Sequence, residues 1–355
     1  MSPSSEHTCI HGHSGIMNTP RVLIVSSSVD GHVPLVTRCL DALGIRWAQF
    51  NPEELGTKAV IAARLDDDEW PIAASVDGRD LRLGDLSSLW FRRPRLPTAD
   101  SLQTDALATS FVRGEWASFL DALYSTLGGV LWVSHPARLA AASSKMSQLS
   151  YAARLGLRVP RTLVTNDPDA AGAFAEEVGG RAVVKPTGPG WLEDASGGIQ
   201  YVLTNRVPAG FAELREEIRL SPITLQEEIA KLYEVRVNVV GQRVLPIKID
   251  SQRSAISELD WRRYDVQRTP YTPYTLPPDV EDACLRLVAA FGLQFGAIDL
   301  IRDTGGEYVF LEVNGNGQFG WAEDLSGVAV STAIAELLAG IAPPLAPLYP
   351  SPPGG

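Results

Sequence analysis

Three oxygen-bearing side chains near the carboxyl end of the chain have the types and the spacing of a cation site. Asp299 lies on one predicted strand, and Glu312 and Asn314 lie two residues apart on the next, in a hairpin predicted over 295–321 around the polar turn 303–306. Carboxylate and amide oxygens suit Mg²⁺, whose remaining positions phosphate oxygens and water fill. The alternative is a hairpin whose acids are merely solvated.

The side-chain alternation of the two strands predicts which face of the hairpin is buried. If Arg302 pairs with Glu307, Asp299 lies opposite Phe310 and diagonal to Glu312, and such diagonal neighbours are about 7–8 Å apart. The residues predicted to face the core are Ile298, Leu300, Val309, Leu311 and Val313.

Two lysines precede the acids and have the placement of phosphate ligands. Lys145 opens a predicted helix over 145–155, and Lys185 ends a predicted strand over 181–185. A loop with several glycines follows at 186–198, where backbone N–H groups could close over a triphosphate while lysine supplies a point charge. Glycine loops are also common as plain turns, so this pattern alone does not decide the function.

Further charged side chains alternate with apolar residues on the following strands. Glu234 and Arg236 lie on the polar face of a strand predicted over 233–240, and Lys248 points out of a strand predicted over 243–250. A solvated face is the alternative for each charge taken alone, but several cations close to three oxygen ligands favour a site.

The composition is that of an ordinary globular protein with room for two or three domains. The 355 residues are 45% apolar and 21% charged, with a formal net charge of −11, which argues against a dedicated nucleic-acid binder. Cys9, Cys39 and Cys284 are few and widely spaced, which fits a cytoplasmic protein without disulfides. No apolar run is long enough for a membrane span.

The order of elements at the amino end predicts an α/β fold. A strand at 21–26, a helix at 33–43 and a strand at 45–50 form a β-α-β unit, which implies a parallel sheet. The remaining predicted elements are a hairpin around 77–78, strands at 86–91, 130–133, 159–164, 199–203 and 223–229, and helices at 105–127, 170–178, 281–291 and 333–341.

Several familiar motifs are absent or lack their context. No P-loop motif and no G-x-S-x-G motif occurs. The segment 315–320 matches G-x-G-x-x-G, but a dinucleotide site needs a helix that opens inside the motif, and we expect the next helix only near Thr332.

The order of these motifs resembles the ATP-grasp superfamily of carboxylate ligases over roughly 134–338. Within it, the sequence is most similar to the microviridin-type, or graspetide, ligases that macrocyclise ribosomal peptides. The stretches that carry this likeness are Trp-Phe-Arg-Arg-Pro at 90–94, Val-Pro-Arg-Thr-Leu at 159–163, Asp-Trp-Arg at 260–262 and Phe-Leu-Glu-Val-Asn-Gly-Asn-Gly-Gln at 310–318.

The resemblance implies a role for each candidate residue. Magnesium would be bound by Asp299, Glu312 and Asn314, and the transferring phosphoryl group would be steadied by the catalytic cations Arg236, Arg262 and Lys248. Nucleotide contacts would come from the two lysines on the phosphates, from a hinge that reads adenine, and from an acid on the ribose: Lys145, Lys185, Gln226, Glu227, Glu228, Ile229 and Glu234. The lid departs from the family pattern in its bulky segment 191–194, whose acids are an alternative contact for the peptide.

The expected fold is therefore an ATP-grasp fold in three parts between disordered tails. We expect tails at 1–19 and 343–355, an N-terminal pre-ATP-grasp domain at 20–133, a central lid subdomain at 134–228 and a C-terminal subdomain at 229–342. The expected activity uses ATP and Mg²⁺ to close Asp or Glu side chains of a precursor peptide onto Ser or Thr hydroxyls or Lys amines. No nucleic acid or membrane is expected as a partner, a homodimer is expected, and 185–220 is the expected leader-binding surface.

Two alternatives stay open at this point. An ATP-grasp ligase of the glutamate-ligase type would instead join an amino acid to a protein or a small acid. A nucleotide-binding sensor or scaffold would keep the fold without ligase activity.

Overall fold

The structure is a computed structural model of the chain. It describes residues 21–65, 72–76, 79–98, 104–188, 190–193, 199–208, 211–263 and 265–348. The predicted amino-terminal tail and the turn at 77–78 lie outside the described residues.

The amino-terminal part contains the parallel sheet that the β-α-β pattern predicts. The strands of this part, in chain order, are β1 (Val22–Val25), β2 (Trp47–Phe50), β3 (Ala59–Ala63), β4 (Ile72–Val76), β5 (Arg79–Arg82), β6 (Ser88–Phe91) and β7 (Leu131–Val133). The parallel sheet has the order β2-β1-β6-β7, and β3, β4 and β5 form an antiparallel sheet of which β3 was not predicted. The helices are Val33–Ala42 and Ala106–Thr126.

The central part is built on an antiparallel sheet of order β12-β9-β13-β8. Its strands are β8 (Thr162–Thr165), β9 (Ala182–Lys185), β10 (Trp191–Glu193), β11 (Ile199–Tyr201), β12 (Asn205–Arg206) and β13 (Ile223–Glu227). Its helices are Pro136–Ala142, Lys145–Arg154, Pro168–Glu177 and Arg215–Leu220. Strands β10 and β11 pair with each other, and β8 is an edge strand as predicted.

The carboxyl-terminal part is an antiparallel sheet of order β16-β15-β14-β17-β18. Its strands are β14 (Lys231–Val240), β15 (Arg243–Ile249), β16 (Tyr271–Pro273), β17 (Phe295–Asp303) and β18 (Tyr308–Asn314), and its helices are Pro278–Ala290, Gly320–Ser326 and Val330–Leu338. The apolar face of β14 packs on the Pro278–Ala290 helix in one core. A second core joins this part to the amino-terminal sheet, through the Val33–Ala42 and Val330–Leu338 helices. The central sheet has a core of its own.

The register of the β17–β18 hairpin differs from the prediction. Arg302 pairs with Tyr308, and a β-bulge between the pairs Leu300–Phe310 and Asp299–Glu312 brings Asp299 directly opposite Glu312. Leu311 is the extra residue of the bulge. The two acids are therefore direct rather than diagonal neighbours.

The bulge also reverses the alternation of β18 beyond it. Phe310 and Val313 both lie in the core, whereas Leu311 lines a cleft, so the prediction that Leu311 faces the core was wrong. An inserted residue shifts every later side chain of a strand to the other face, which is why strict alternation fails here.

Two further expectations differ from the structure near the carboxyl end. A helix begins at Gly320, inside the G-x-G-x-x-G segment, and not only near Thr332. The motif still follows β18, an antiparallel edge strand, and not the parallel strand of a dinucleotide-binding unit. In the predicted disordered tail, Leu345 exchanges hydrogen bonds of 2.8 and 2.7 Å with Gln294, so residues 343–348 lie against the fold.

Candidate active site

A cleft of about 1990 Å³ lies between the three parts of the fold and gathers most of the predicted site residues. The residues of the predicted sets that line it are Lys145, Lys185, Gln226, Glu227, Glu228, Ile229, Glu234, Arg236, Arg262, Asp299, Glu312 and Asn314. They come from the Lys145–Arg154 helix, the central sheet, the connection between β13 and β14, and the polar face of β14, β17 and β18, while Arg262 comes from the short turn Trp261–Arg263. The alternation of these strands thus sends their charged residues to the cleft.

The three predicted cation ligands lie together on β17 and β18. Asn314 Nδ2 donates to Glu312 Oε1 at 3.3 Å, which leaves the amide oxygen directed elsewhere. Arg236 Nη1 donates to both carboxylate oxygens of Asp299 at 2.8 Å, and both side chains are buried. Glu312 is thus the more available carboxylate, and Asp299 is held by a guanidinium.

The two acids differ in their electrostatic surroundings. Burial raises the pKa of Asp299, and the charge of Arg236 only partly opposes this. Burial also disfavours the charged form of Glu312, but Arg262, Lys145 and Lys185 outweigh it and hold its pKa below the usual value. Glu312 is therefore the anionic centre of the cleft.

The donor set fits Mg²⁺ if the amide takes part. Among the described residues, no cluster of three or more His, Cys, Asp or Glu side chains has the arrangement of a metal site. Two carboxylates and one amide remain, which are the hard oxygen ligands that Mg²⁺ takes beside phosphate and water. Asp299 can join Glu312 and Asn314 as a ligand through the carboxylate lone pairs that Arg236 leaves free.

Both predicted lysines reach the cleft from the central part. Ser144 caps the helix that Lys145 opens by accepting from Ser147 N at 3.3 Å, and Lys145 Nζ donates to Pro186 O at 2.9 Å. Burial lowers the pKa of Lys185 to about 8, with Glu312 opposing the shift. Two ammonium groups thus lie where the glycine loop starts.

The predicted hinge connects β13 to β14 along the cleft. Gln226 is buried; its Nε2 donates to Thr162 Oγ1 at 3.0 Å, and its Oε1 has no partner among the described residues. The N–H groups of Glu227 and Glu228 donate to carbonyl oxygens at 3.0 and 2.8 Å. An adenine contact through a hinge N–H therefore falls to Ile229.

Two acids of the cleft have cationic partners. Lys231 Nζ donates to Glu234 Oε1 at 2.6 Å, while the buried Oε2 of Glu234 has no partner in the described part of the chain. That oxygen can accept from a ligand hydroxyl. The Glu228 carboxylate, by contrast, is bound by Arg206 at 2.8–3.1 Å.

Arg262 is held at the edge of the cleft by an acid that the sequence left without a role. It donates to both carboxylate oxygens of Asp260, at 2.9 and 2.7 Å, and its Nη1 lies 3.7 Å from Glu312. Burial disfavours the Asp260 anion, but the bonds from Arg262 hold the pKa of Asp260 down at about 2. The short Asp-Trp-Arg segment would have been the signal, since an acid two residues before an arginine can hold its fork.

The structure contradicts the assignment of Lys248 to the catalytic cations. Lys248 pairs with Val235, on the face of the sheet opposite Arg236. Its Nζ lies 2.7 Å from Asp250 and 4.7 Å from the ring centre of Tyr233. The two-residue turn between Val240 and Arg243 fixes this register, and counting from it would have placed Lys248 away from the cleft.

A buried arginine of the amino-terminal part holds the loop that follows the cation ligands. Arg92 Nη1 donates to the carbonyl oxygens of Asn316 and Gly317 at 2.6 and 3.0 Å, and Asn316 Nδ2 donates back to Arg92 O at 2.6 Å. A side chain at Gly317 would force its neighbours to shift, because a Cβ there would lie 2.5 Å from Ala297 Cβ and 3.1 Å from Arg236 Nη2. The loop thus keeps Arg236 in place.

Comparison with profiles of known protein families finds no match. Among curated proteins, the chain is similar to the alpha-aminoadipate–LysW ligase LysX of Sulfolobus acidocaldarius, at 26% identity over 176 residues. That match covers 48% of this chain and 60% of LysX, so the chain spans less than two thirds of this relative.

Two solved structures are similar over most of the chain. One is a Chryseobacterium gregarium RiPP-associated ATP-grasp ligase in complex with ADP and a leader and core peptide, with 28% identity, a TM-score of 0.84 and coverage of 92% of this chain and 99% of that one. The other is the macrocyclase MdnC of Microcystis aeruginosa bound with the precursor peptide MdnA, with 29% identity, a TM-score of 0.80 and coverage of 90% and 100%.

Proposed function

We propose that this chain, which has the ATP-grasp fold and resembles RiPP-associated ligases and macrocyclases along most of its length, closes rings in a ribosomally made precursor peptide. It is an ADP-forming ligase that uses ATP and Mg²⁺. Asp or Glu side chains of the peptide are the groups that it activates, and Ser or Thr hydroxyls or a Lys amine are the groups that attack.

The observation that carries the proposal is the set of cations around Glu312 in a cleft shared by all three parts of the fold. Lys145, Lys185 and Arg262 all act on the Glu312 carboxylate electrostatically. Cations around an oxygen-ligand cluster are what phosphoryl transfer needs, since its catalysis is mostly positioning and charge stabilisation.

The reaction follows without a nucleophile from the protein. A carboxylate resists attack because its leaving group would be oxide, so its oxygen first takes the γ-phosphoryl group of ATP and ADP leaves. A hydroxyl or amine of the same peptide then attacks the acyl carbon, loses its proton and displaces phosphate. The ester or amide that forms leaves the peptide lighter by one water, and holding both groups on one bound peptide supplies the positioning.

The roles of the cleft residues follow from their places. Lys145 and Lys185 bind the nucleotide phosphates, and Arg236 and Arg262 stabilise the charge of the transferring group. Mg²⁺, held by Glu312, Asn314 and Asp299, would neutralise charge on the phosphate oxygens. The ribose hydroxyls bind Glu234 Oε2, and adenine lies along the hinge Gln226–Ile229.

The test compares the unsubstituted protein with Glu312→Gln. With ATP, Mg²⁺ and the short peptide encoded beside this chain's gene, we expect ADP release that depends on the peptide and a peptide mass reduced by one water per bond. Glu312→Gln abolishes both, while Glu281→Gln, on the Pro278–Ala290 helix outside the cleft, leaves both unchanged. ADP release with an unchanged peptide mass would refute ring closure.

A second candidate has one observation in its favour. The similarity to LysX points to a ligase of the type that joins an amino acid to a protein. Incorporation of a free labelled amino acid would support that activity over ring closure. The solved structures favour the macrocyclase, since they match about nine-tenths of the chain, whereas LysX matches 48%.

In the part of the chain that the structure describes, no helix is both long and apolar enough to cross a bilayer. Cys39 and Cys284 are free thiols. A cytoplasmic location is part of the proposal, because the reducing compartment keeps such thiols free and ATP is present there.

The homodimer stays a prediction, to be measured by light scattering.

A further inference from the structure

The amino-terminal wall of the cleft carries arginines that the nucleotide site does not use. Arg93, Arg95 and Arg113 line the cleft from this side, and all three are exposed. Arg93 and Arg95 follow β6, and Arg113 lies on the Ala106–Thr126 helix. Two separate elements of the amino-terminal part thus bring arginines to the cleft.

Within the part of the chain that the structure describes, these charges lack an acidic counter-charge. None of the three has a carboxylate within ion-pair distance among the described residues. Arg93 Nη2 donates to Asn316 O at 2.9 Å and Arg113 Nη1 to Pro97 O at 2.8 Å, but a carbonyl oxygen leaves the charge uncompensated. In a chain of net charge −11, such a group is unlike the average surface.

The positive charge is also felt by the neighbouring buried arginine. Burial and then the charge of Arg93 lower the pKa of Arg92 to about 9, although Asp30 opposes the shift. The one acid of the wall, Glu53, is engaged by Ser28 N at 2.7 Å. An added anion would therefore relieve repulsion along this wall.

The position of the wall decides which anion it faces. Of the cations proposed for the nucleotide phosphates, Lys185 ends β9 of the central sheet, and Lys145 Nζ donates to Pro186 O directly after it. Arg93 reaches Asn316, two residues beyond the cation ligand Asn314. The arginine wall thus begins beside the proposed cation site. A substrate that receives the γ-phosphoryl group would lie on this side of the nucleotide.

We propose that Arg95 and Arg113, with Arg93 beside them, form a subsite that binds the carboxylate side chains of an acidic substrate peptide. The inference rests on the proposed function, and it assigns to the amino-terminal part the recognition of acidic residues. Arginine suits this task because its planar fork binds a carboxylate through two parallel hydrogen bonds. Acidic residues of the peptide that are not yet activated would be bound here, while another acidic residue reacts at the nucleotide.

The test measures binding of a fluorescein-labelled hexaglutamate peptide by anisotropy at low salt. Saturating ADP and Mg²⁺ are present, so that the phosphate cations are filled. The double variant Arg95→Gln/Arg113→Gln is compared with the unsubstituted protein, and Arg38→Gln is the matched control, since Arg38 is exposed in the same part of the chain but outside the cleft. The same peptide with glutamine in place of glutamate reports binding that does not need charge.

The expected result is a loss of hexaglutamate affinity of about fivefold in the double variant, because two exposed ion pairs together contribute about 1 kcal/mol. Arg38→Gln binds like the unsubstituted protein, the glutamine peptide does not bind, and ADP affinity is unchanged in every variant. Equal hexaglutamate affinity in the double variant, or no binding to the unsubstituted protein, overturns the subsite.

The binding assay does not depend on turnover, so the two proposals can fail separately. If peptide-dependent ADP release is intact but hexaglutamate binding ignores the arginines, only the subsite is wrong. If hexaglutamate binding follows the arginines but no peptide supports ADP release, the ring-closing function is wrong.

Discussion

The buried pair of Arg236 and Asp299 allows a test of the site that does not require activity. Both side chains are at most 9% exposed, and the guanidinium donates to both carboxylate oxygens at 2.8 Å. Removing one partner of such a pair leaves an uncompensated buried charge and costs about 3–5 kcal/mol, whereas replacing both partners is often nearly neutral. We expect Arg236→Met to lower the free energy of unfolding by about 3 kcal/mol or more.

A double-mutant cycle measures the coupling energy between the Arg236 and Asp299 side chains. Asp299→Asn leaves the arginine without its counter-charge, so it is also destabilising. The double variant Arg236→Met/Asp299→Asn should lose less than the sum of the single variants, with a coupling energy of about 2 kcal/mol. Urea unfolding followed by tryptophan fluorescence and by circular dichroism gives the three values, and coincident transitions validate a two-state treatment.

The pH dependence provides a second check on the same pair. The folded-state pKa of Asp299 is already raised, mainly by burial, and loss of Arg236 raises it further. A group with a raised folded-state pKa stabilises the fold below its unfolded pKa and loses this contribution as the pH rises through the folded value. The defect of Arg236→Met should therefore be largest at neutral pH and smaller in acid.

Two results would refute this reasoning. One is additivity of the two single variants to within about 0.5 kcal/mol, which is the behaviour of independent sites. The other is a cost of Arg236→Met below about 1 kcal/mol, which is the range of exposed ion pairs. Mg²⁺ alone should stabilise Arg236→Met more than the unsubstituted protein, because the cation then supplies the positive charge that Arg236 supplied to Asp299.

Three further predictions concern single positions. Burial lowers the folded-state pKa of Lys185 to about 8, so the charged form of Lys185 opposes folding below that pH. Lys185→Met should therefore raise Tm at neutral pH and weaken ATP binding measured by calorimetry. A lower Tm would contradict this. Gly317→Ala should cost about 1–3 kcal/mol in urea unfolding, since its Cβ would overlap Ala297, whereas Gly128→Ala has open space and should be near neutral; equal effects would contradict the packing argument. Lys248→Met should leave kcat of peptide-dependent ADP release unchanged, because Lys248 lies on the opposite face of the sheet; a large loss of kcat would restore it to the catalytic cations.

The sequence predicts the charged face of the cleft because that face obeys strand alternation. Glu234 and Arg236 lie two residues apart on β14, and Asp299 pairs with Arg236 from the neighbouring β17. All three side chains line the cleft, as expected. The ATP-grasp fold was also predictable, since the order of lysines, glycine loop, hinge and acidic hairpin carries its resemblance to known ligases, and the solved structures confirm it.

The bulge in β18 could not be read from alternation, because no local residue pattern marks it and the segment that contacts it is distant in the sequence. Phe310 N donates to Arg158 O at 2.8 Å, and Arg158 forms a bridge with Val309. A strand contacted on its outer edge by another segment can accommodate an extra residue, and nothing local marks which residue that is. The position of Lys248, by contrast, was predictable from the sequence. The two-residue turn between Val240 and Arg243 sets the register that pairs Lys248 with Val235.

The shared packing of the two outer parts bears on how the cleft is assembled. Residues of the Val33–Ala42 and Val330–Leu338 helices belong to one apolar cluster, and Arg92 is bonded to the loop at Asn316, so the two outer parts are packed and hydrogen-bonded together. The central sheet is packed around its own cluster. The cleft therefore combines side chains from separately packed clusters, since Lys185 comes from the central sheet and the acids come from β17 and β18.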